Sequence, residues 1–291
     1  MNKVYRTVFN ETTNTWVAVA EISPAKGKKS RSEKSSGGIG LHLMAPVMVS
    51  GMLLSGYAMA APELKNGTGT NAIIVNSNPV TSGSAAAGDD SIAIGTNAKV
   101  EGAAGVGQSS IAVGSNAKTK AQNNIAIGTG ALTENGNTIA VGNAAHAKGQ
   151  SDLAIGDGAK ATLGQGTAVG VNANATQPGA SAYGYSTKAT GYLSTAIGNQ
   201  AESSGSSSVA VGKALASGSK AIAIGDDAKS TSTETIAVGS AADAGRSQFG
   251  IAIGSGAKLN TDPAVIGKNT AIAIGYQAEA TDLDANAFGR K

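Results

Sequence analysis

From Ser91 onward, apolar, small and polar residues recur in one frame. SIAIGTNA (91–98), SIAVGSNA (110–117), NIAIGTGA (124–131) and TIAVGNAA (138–145) share it, and nine later stretches repeat it as far as AIAIGYQA (271–278). A partial copy, Asn286-Ala287-Phe288-Gly289, closes the series. The frame glycines stand at 95, 114, 128, 142 and onward, mostly 14 residues apart, with outlying steps of 19 and 21. Within one unit, Ile92 and Ile94 point to one face of a strand and Ala93 to the other. Gly95 ends the strand where the turn requires a positive φ or a close backbone approach. Thr96-Asn97 is turn chemistry, and Ala98-Lys99-Val100 begins a short return strand. Two strands and two turns in 14 residues make one coil of a narrow solenoid, and a single coil buries too little to stand alone. About fourteen such coils at about 4.8 Å each predict an all-β rod of about 65 Å.

The pattern predicts an inward ladder of Ile92/Ile94, Ile111/Val113, Ile125/Ile127 and Ile139/Val141, with Gly95, Gly114, Gly128 and Gly142 at the corners. The alanines Ala93, Ala112, Ala126, Ala140 and Ala154 are then expected to form an outer apolar stripe that seeks a partner. Composition supports a thin fold, since 41 glycines accompany only 3 Phe and 1 Trp. Cysteine is absent, which removes disulfides, thiol catalysis and Cys-ligated zinc.

The start of the chain differs in kind. Residues 1–60 carry 7 Lys/Arg against 3 Asp/Glu, and the remainder 15 against 16, so the basic balance belongs to the leader. The near-neutral remainder speaks against nucleic-acid binding. Residues 39–60 form an apolar run in which Ala58 and Ala60 supply the small residues of a signal-peptidase site, with cleavage expected after Ala60. A transmembrane helix fits this run less well, because Pro46, Gly51 and Gly56 interrupt it. The preceding 38 residues are far longer than an ordinary basic region. Their Met1-Asn2-Lys3, Tyr5-Arg6, Phe9-Asn10, Trp16-Val17-Ala18-Val19, Glu21 and Gly27-Lys28 resemble the extended signal peptide of large secreted Gram-negative proteins. The alternation of residues 1–22 around Glu11–Asn14 also reads as a plain hairpin, and the trafficking reading is preferred.

The frame [S/T/N]-[I/V]-A-[I/V]-G-x-x-A at a 14-residue step resembles the head repeat of YadA-like trimeric autotransporter adhesins. That resemblance implies a left-handed parallel β-roll, assembled with two further copies into a homotrimer. It also implies type V secretion, a place at the bacterial surface and outer membrane, and attachment to host matrix or cells, including collagen-type ligands. The expected organisation is an extended signal peptide (1–60), a flexible segment (61–90) and head repeats (91–291). Neither the heptad stalk nor the barrel anchor of that family is legible, so the chain reads as a fragment or a truncated product, anchored only through a segment it does not contain.

Candidate chemistry is sparse. His146 is expected in an exposed turn, and the Asp89-Asp90 and Asp226-Asp227 pairs read as solvated turn residues, because adjacent carboxylates do not converge on one atom. The glycine-rich stretches lack a following GK[ST], so no phosphate loop is read. No catalytic residue, cofactor or metal is expected. Two features could serve binding: the insert at 259–270, where Pro263 favours a protruding loop, and an aromatic patch of Tyr183, Tyr185 and Tyr192. A surface insertion and ordinary core or rim positions are the plainer readings of the two. Besides an adhesin head, a β-solenoid polysaccharide-active enzyme and an inactive structural fragment of a larger adhesin are the alternatives.

Overall fold

The computed structural model describes residues 5–10, 15–20, 63–66, 71–76, 85–86, 88–101, 108–245, 248–259, 270–282 and 284–290. The chain divides into two units, 1–56 and 57–291. In the first, Tyr5–Asn10 and Thr15–Ala20 pair antiparallel, with Tyr5 opposite Ala20 and Asn10 opposite Thr15. The apolar run at 39–60, with Ala58 and Ala60, lies outside the described residues, as does most of the insert at 259–270 with Pro263.

The second unit is a parallel β-solenoid. One sheet of 16 strands runs from Glu63–Asn66 to Asn286–Phe288, all parallel except its first pair. A second sheet of 11 two-residue strands runs from Ala85–Ala86 to Lys229–Ser230. Bridges through Asp243 carry that face on to Lys258–Leu259. The 14-residue step appears as register: Ile111 lies opposite Ile125, Ile125 opposite Ile139, and Ile139 opposite Leu153. The solenoid starts before residue 91. Ile73–Asn76 pairs in parallel with Ile92–Ile94, and Ala85–Ala86 with Lys99–Val100, so these parts of the segment expected to be flexible are already coil.

Each coil has two unlike corners. The first follows the long strand and is held by glycine. Gly114 has φ 130°, and a Cβ there would stand 2.5 Å from the Gly128 carbonyl oxygen of the next coil. Two residues on, Asn97 (φ 58°) and Asn116 (φ 57°) take the left-handed conformation that Asn tolerates, and the Asn97 side-chain amide donates to Asn116 Oδ1 at 2.7 Å. The second corner follows the short strand. The longer steps leave both sheets in register: Ile92–Ile94 pairs with Ile111–Val113 and Lys99–Val100 with Lys118–Thr119 across the 19-residue step, and Ile251–Ile253 with Ile272–Ile274 and Lys258–Leu259 with Glu279–Ala280 across the 21-residue one.

The expected facing of the long strand is reversed. Ala93 is 0% exposed, as are Ala112, Ala126, Ala140 and Ala154, whereas Ile94 is 37% exposed and Ile92 half-buried. The core is therefore alanine, joined by Ala98, Ala117 and Ala131 from the turn side and by Val100, Thr119 and Thr133 from the short strand. The reason is the coil's circumference. Fourteen residues, of which two corners take a large share, leave the sheets too close for branched side chains from both. Where hydroxyls replace alanine they touch across the interior: Ser203 Oγ lies 2.6 Å from Ser208 Oγ, and Ser230 Oγ 2.7 Å from Thr235 Oγ1. The isoleucines and valines of the long strands form the outer face.

Candidate interaction surfaces

Three surfaces arise from this geometry. The outer face of the long sheet carries two columns, Ile92-Ile111-Ile125-Ile139-Leu153 and Ile94-Val113-Ile127-Val141-Ile155, one rung after another. All ladder residues expected from the sequence are brought together here, in one stripe pointing outward. The column turns polar at Thr167, Ser181 and Thr195, beside Val169, Tyr183 and Ile197, and becomes aliphatic again at Val209 and Ile222. An apolar stripe of this length on one face of the solenoid marks an interaction surface.

The short-strand face is charged, and its charges pair along the stack. Lys118 Nζ lies 2.8 Å from Glu101, Lys120 Nζ 3.1 Å from Glu134, and Lys188 Nζ 3.9 Å from Glu202. His146 is in the strand His146–Ala147 rather than a turn, half-buried, with Nε2 3.5 Å from Glu134. Burial pushes the Glu134 carboxyl up, but the Lys120 hydrogen bond and the charges of Lys120, His146 and Lys148 outweigh it and hold the group below its ordinary value. At the corners, Lys213 and Lys220 are raised by hydrogen bonds to Asp227 and Glu234. Asp90 and Asp227 are turn residues with φ near 50°, Asp90 accepting from the Asn71 amide and Asp227 paired with Lys213. Among the described residues no three His, Asp or Glu gather as a metal site.

One buried carboxylate is structural. Asp152 stands in an inward column and accepts from the Gly149 N–H at 2.6 Å and the Gly166 N–H at 2.8 Å, so both oxygens tie adjacent turns.

The three tyrosines do not form one patch. Tyr183 ends a long strand on the outer apolar face, Tyr185 follows Gly184 in the first corner, and Tyr192 is in the second corner. What surrounds Tyr192 was missed in the sequence. A groove of about 520 Å³ crosses the second corners of successive coils, lined by Gln150, Ser151, Leu163, Gln165, Pro178 and Tyr192. The signal was available: Gln150-Ser151, Gly164-Gln165, Pro178-Gly179 and Tyr192-Leu193 are the same two positions at the 14-residue step.

Comparison with known proteins agrees with this architecture. Residues 1–50 match the family described as the extended signal peptide of the type V secretion system. The YadA head domain repeat matches in eight segments between 82 and 290, which together cover more than half of the chain. A trimeric autotransporter adhesin of Acinetobacter sp. (strain Tol 5), AtaA, is 35% identical over 102 residues, 31% of this chain. The chain's match spans 3% of the length of that relative.

Proposed function

Because this chain belongs to the YadA-like trimeric autotransporter adhesins, we propose that its solenoid is the adhesive head of a homotrimer, attaching the bacterium to host matrix or cells. The extended signal peptide carries the chain into type V secretion and so to the cell surface, and the family is not enzymatic. The observation that supports trimeric assembly is the outward Ile/Val ladder. The fold of one chain is already closed around alanine, so the ladder adds nothing to the interior and is available to partner copies. Three ladders turned toward one axis would remove a continuous apolar stripe from water and leave the charged faces and corners outside. A trimer then presents every corner and charged rung three times. Repeated weak contacts gain avidity without one strong site.

Adhesion of beads coated with the purified chain to matrix-coated and cell-coated surfaces tests this reading. Retention well above that of beads carrying a chain with scrambled repeats is expected. Retention equal to that control sinks the adhesive role, and collagen among the coatings tests that ligand class directly.

A further inference from the structure

The corner groove has a mixed apolar and amide lining unlike that of the other second corners. At the second corner most coils carry small or polar residues, among them Ser109, Asn123, Asn137, Ser151 and Ser207. On neighbouring coils this changes. Leu163, Tyr192 and Leu193 are 54%, 53% and 52% exposed, with Pro178 between them. Leu193 also holds φ 53°, a conformation that disfavours a Cβ-bearing residue without a local hydrogen-bonding side chain. Its Cδ2 occupies the space beside Gly179, 2.5 Å from where a Cβ there would stand. Exposed apolar side chains thus stand on adjacent coils of one corner.

The groove is also rigid. Its turns are linked by a backbone ladder: Gln165 N–H to Gln150 O at 2.9 Å, Gly179 N–H to Gly164 O at 3.1 Å, Leu193 N–H to Pro178 O at 3.1 Å, and Ser207 N–H to Tyr192 O at 2.7 Å. Side chains on such a ladder are spaced at about 4.8 Å and need little ordering when a ligand arrives.

We propose that this groove binds an uncharged glycan of the host surface. The proposal rests on the adhesive reading above and names a ligand class for one site of it. Charge decides against a polyanion, because the lining has no Lys, Arg or His to neutralise sulfate or carboxylate. A polyproline segment is favoured by grooves lined with several aromatic ridges, and here there is one ring. A neutral pyranose fits both halves of the lining. Its C–H face packs on Tyr192, Leu163 and Pro178, while its hydroxyl rim meets Gln150, Gln165 and Ser151. Each glutamine both donates and accepts, and the serine hydroxyl does the same, as a ring of hydroxyls requires.

The test is saturation-transfer NMR on the full chain, with chitotriose, cellotriose and lacto-N-neotetraose as probes. Bead adhesion to glycosylated and deglycosylated surfaces runs in parallel. At least one probe is expected to bind, and Tyr192→Ala and Gln165→Glu to weaken it about tenfold or more. Tyr185→Ala, at the opposite corner, is expected to leave binding unchanged. Circular dichroism and the oligomeric state identify any variant that has lost its fold, and competition by a Gln150→Ala chain supplies an independent reading. No saturation transfer from any probe overturns the proposal, as does binding indifferent to Tyr192. Tyr192-dependent binding of a heparin tetrasaccharide or a proline-rich decapeptide in their place overturns the ligand class. Protection of Tyr192 from tetranitromethane while Tyr185 reacts overturns it too, by showing the corner to be an interface between copies. Adhesion that persists after deglycosylation defeats this inference alone. Loss of adhesion to every surface defeats the adhesive reading itself.

Discussion

At the scale of single residues, the fold is governed by what is too large to fit. Ala140 has no exposed surface and sits between Ala126 and Ala154 in a column of alanines. Ala140→Leu is expected to destabilise the solenoid by about 1–3 kcal/mol or more, because the narrow interior cannot expand without parting the sheets. Ile127→Ala, two positions beyond the neighbouring Ile125 on the outer face, is expected to cost the isolated chain much less. Urea midpoints of the two variants, compared under dilute monomeric conditions, decide the point. Equal losses would contradict an alanine core. The glycines make a second contrast. Gly114→Ala meets the next coil's carbonyl as well as an unfavourable φ, whereas Gly130, at φ 66°, has nothing within 4 Å of a Cβ. Gly130→Ala is expected to cost about 1 kcal/mol of backbone strain and Gly114→Ala clearly more, read as a difference in Tm.

At the scale of elements, two or three residues make each strand from Ala85 onward, and no such strand could persist without its neighbours in the stack. Electrostatics acts in the same direction, from rung to rung. Glu134 gathers Lys120, His146 and Lys148 around one carboxylate. Its folded-state pKa lies below the unfolded value, so its contribution is complete above the unfolded value and is lost as pH falls through the folded one. Glu134→Gln is therefore expected to lower stability near neutral pH by about 0.2–1 kcal/mol, the range of a surface pair. It is also expected to flatten the loss of stability on acidification below about pH 4.5. Urea unfolding of both chains along a pH series measures this, and parallel curves would remove Glu134 from the account.

At the scale of the whole molecule, the outer ladder is the feature that distinguishes a closed monomer from a component of an assembly. Replacing Ile125 and Ile127 with Ser leaves Ala126 in the core and alters only the outward face. The double variant is expected to keep its β-sheet spectrum while its trimer weakens, which sedimentation velocity over a dilution series reads directly. A trimer of unchanged stability would place the interface elsewhere on the rod.

Periodicity was legible in the sequence because the stack repeats it without alteration. Gly95, Gly114, Gly128 and Gly142 mark a corner where only glycine clears the next backbone, and the solenoid, its two strands per coil and its parallel register follow from that spacing. The leader was legible for a related reason, since export machinery reads sequence rather than fold. Which face of the long strand turns inward was not. Alternation in Ile92-Ala93-Ile94 says that Ile and Ala part company, but hydrophobicity alone sends the larger residue inside. Only the distance between the two sheets, which two tight corners set, admits alanine and turns isoleucine out. The tyrosines show the same limit. Tyr183, Tyr185 and Tyr192 are neighbours along the chain, yet a coil that closes in 14 residues puts them on different sides. It joins Tyr192 instead to Pro178, Leu163 and Gln150 of the coils beside it.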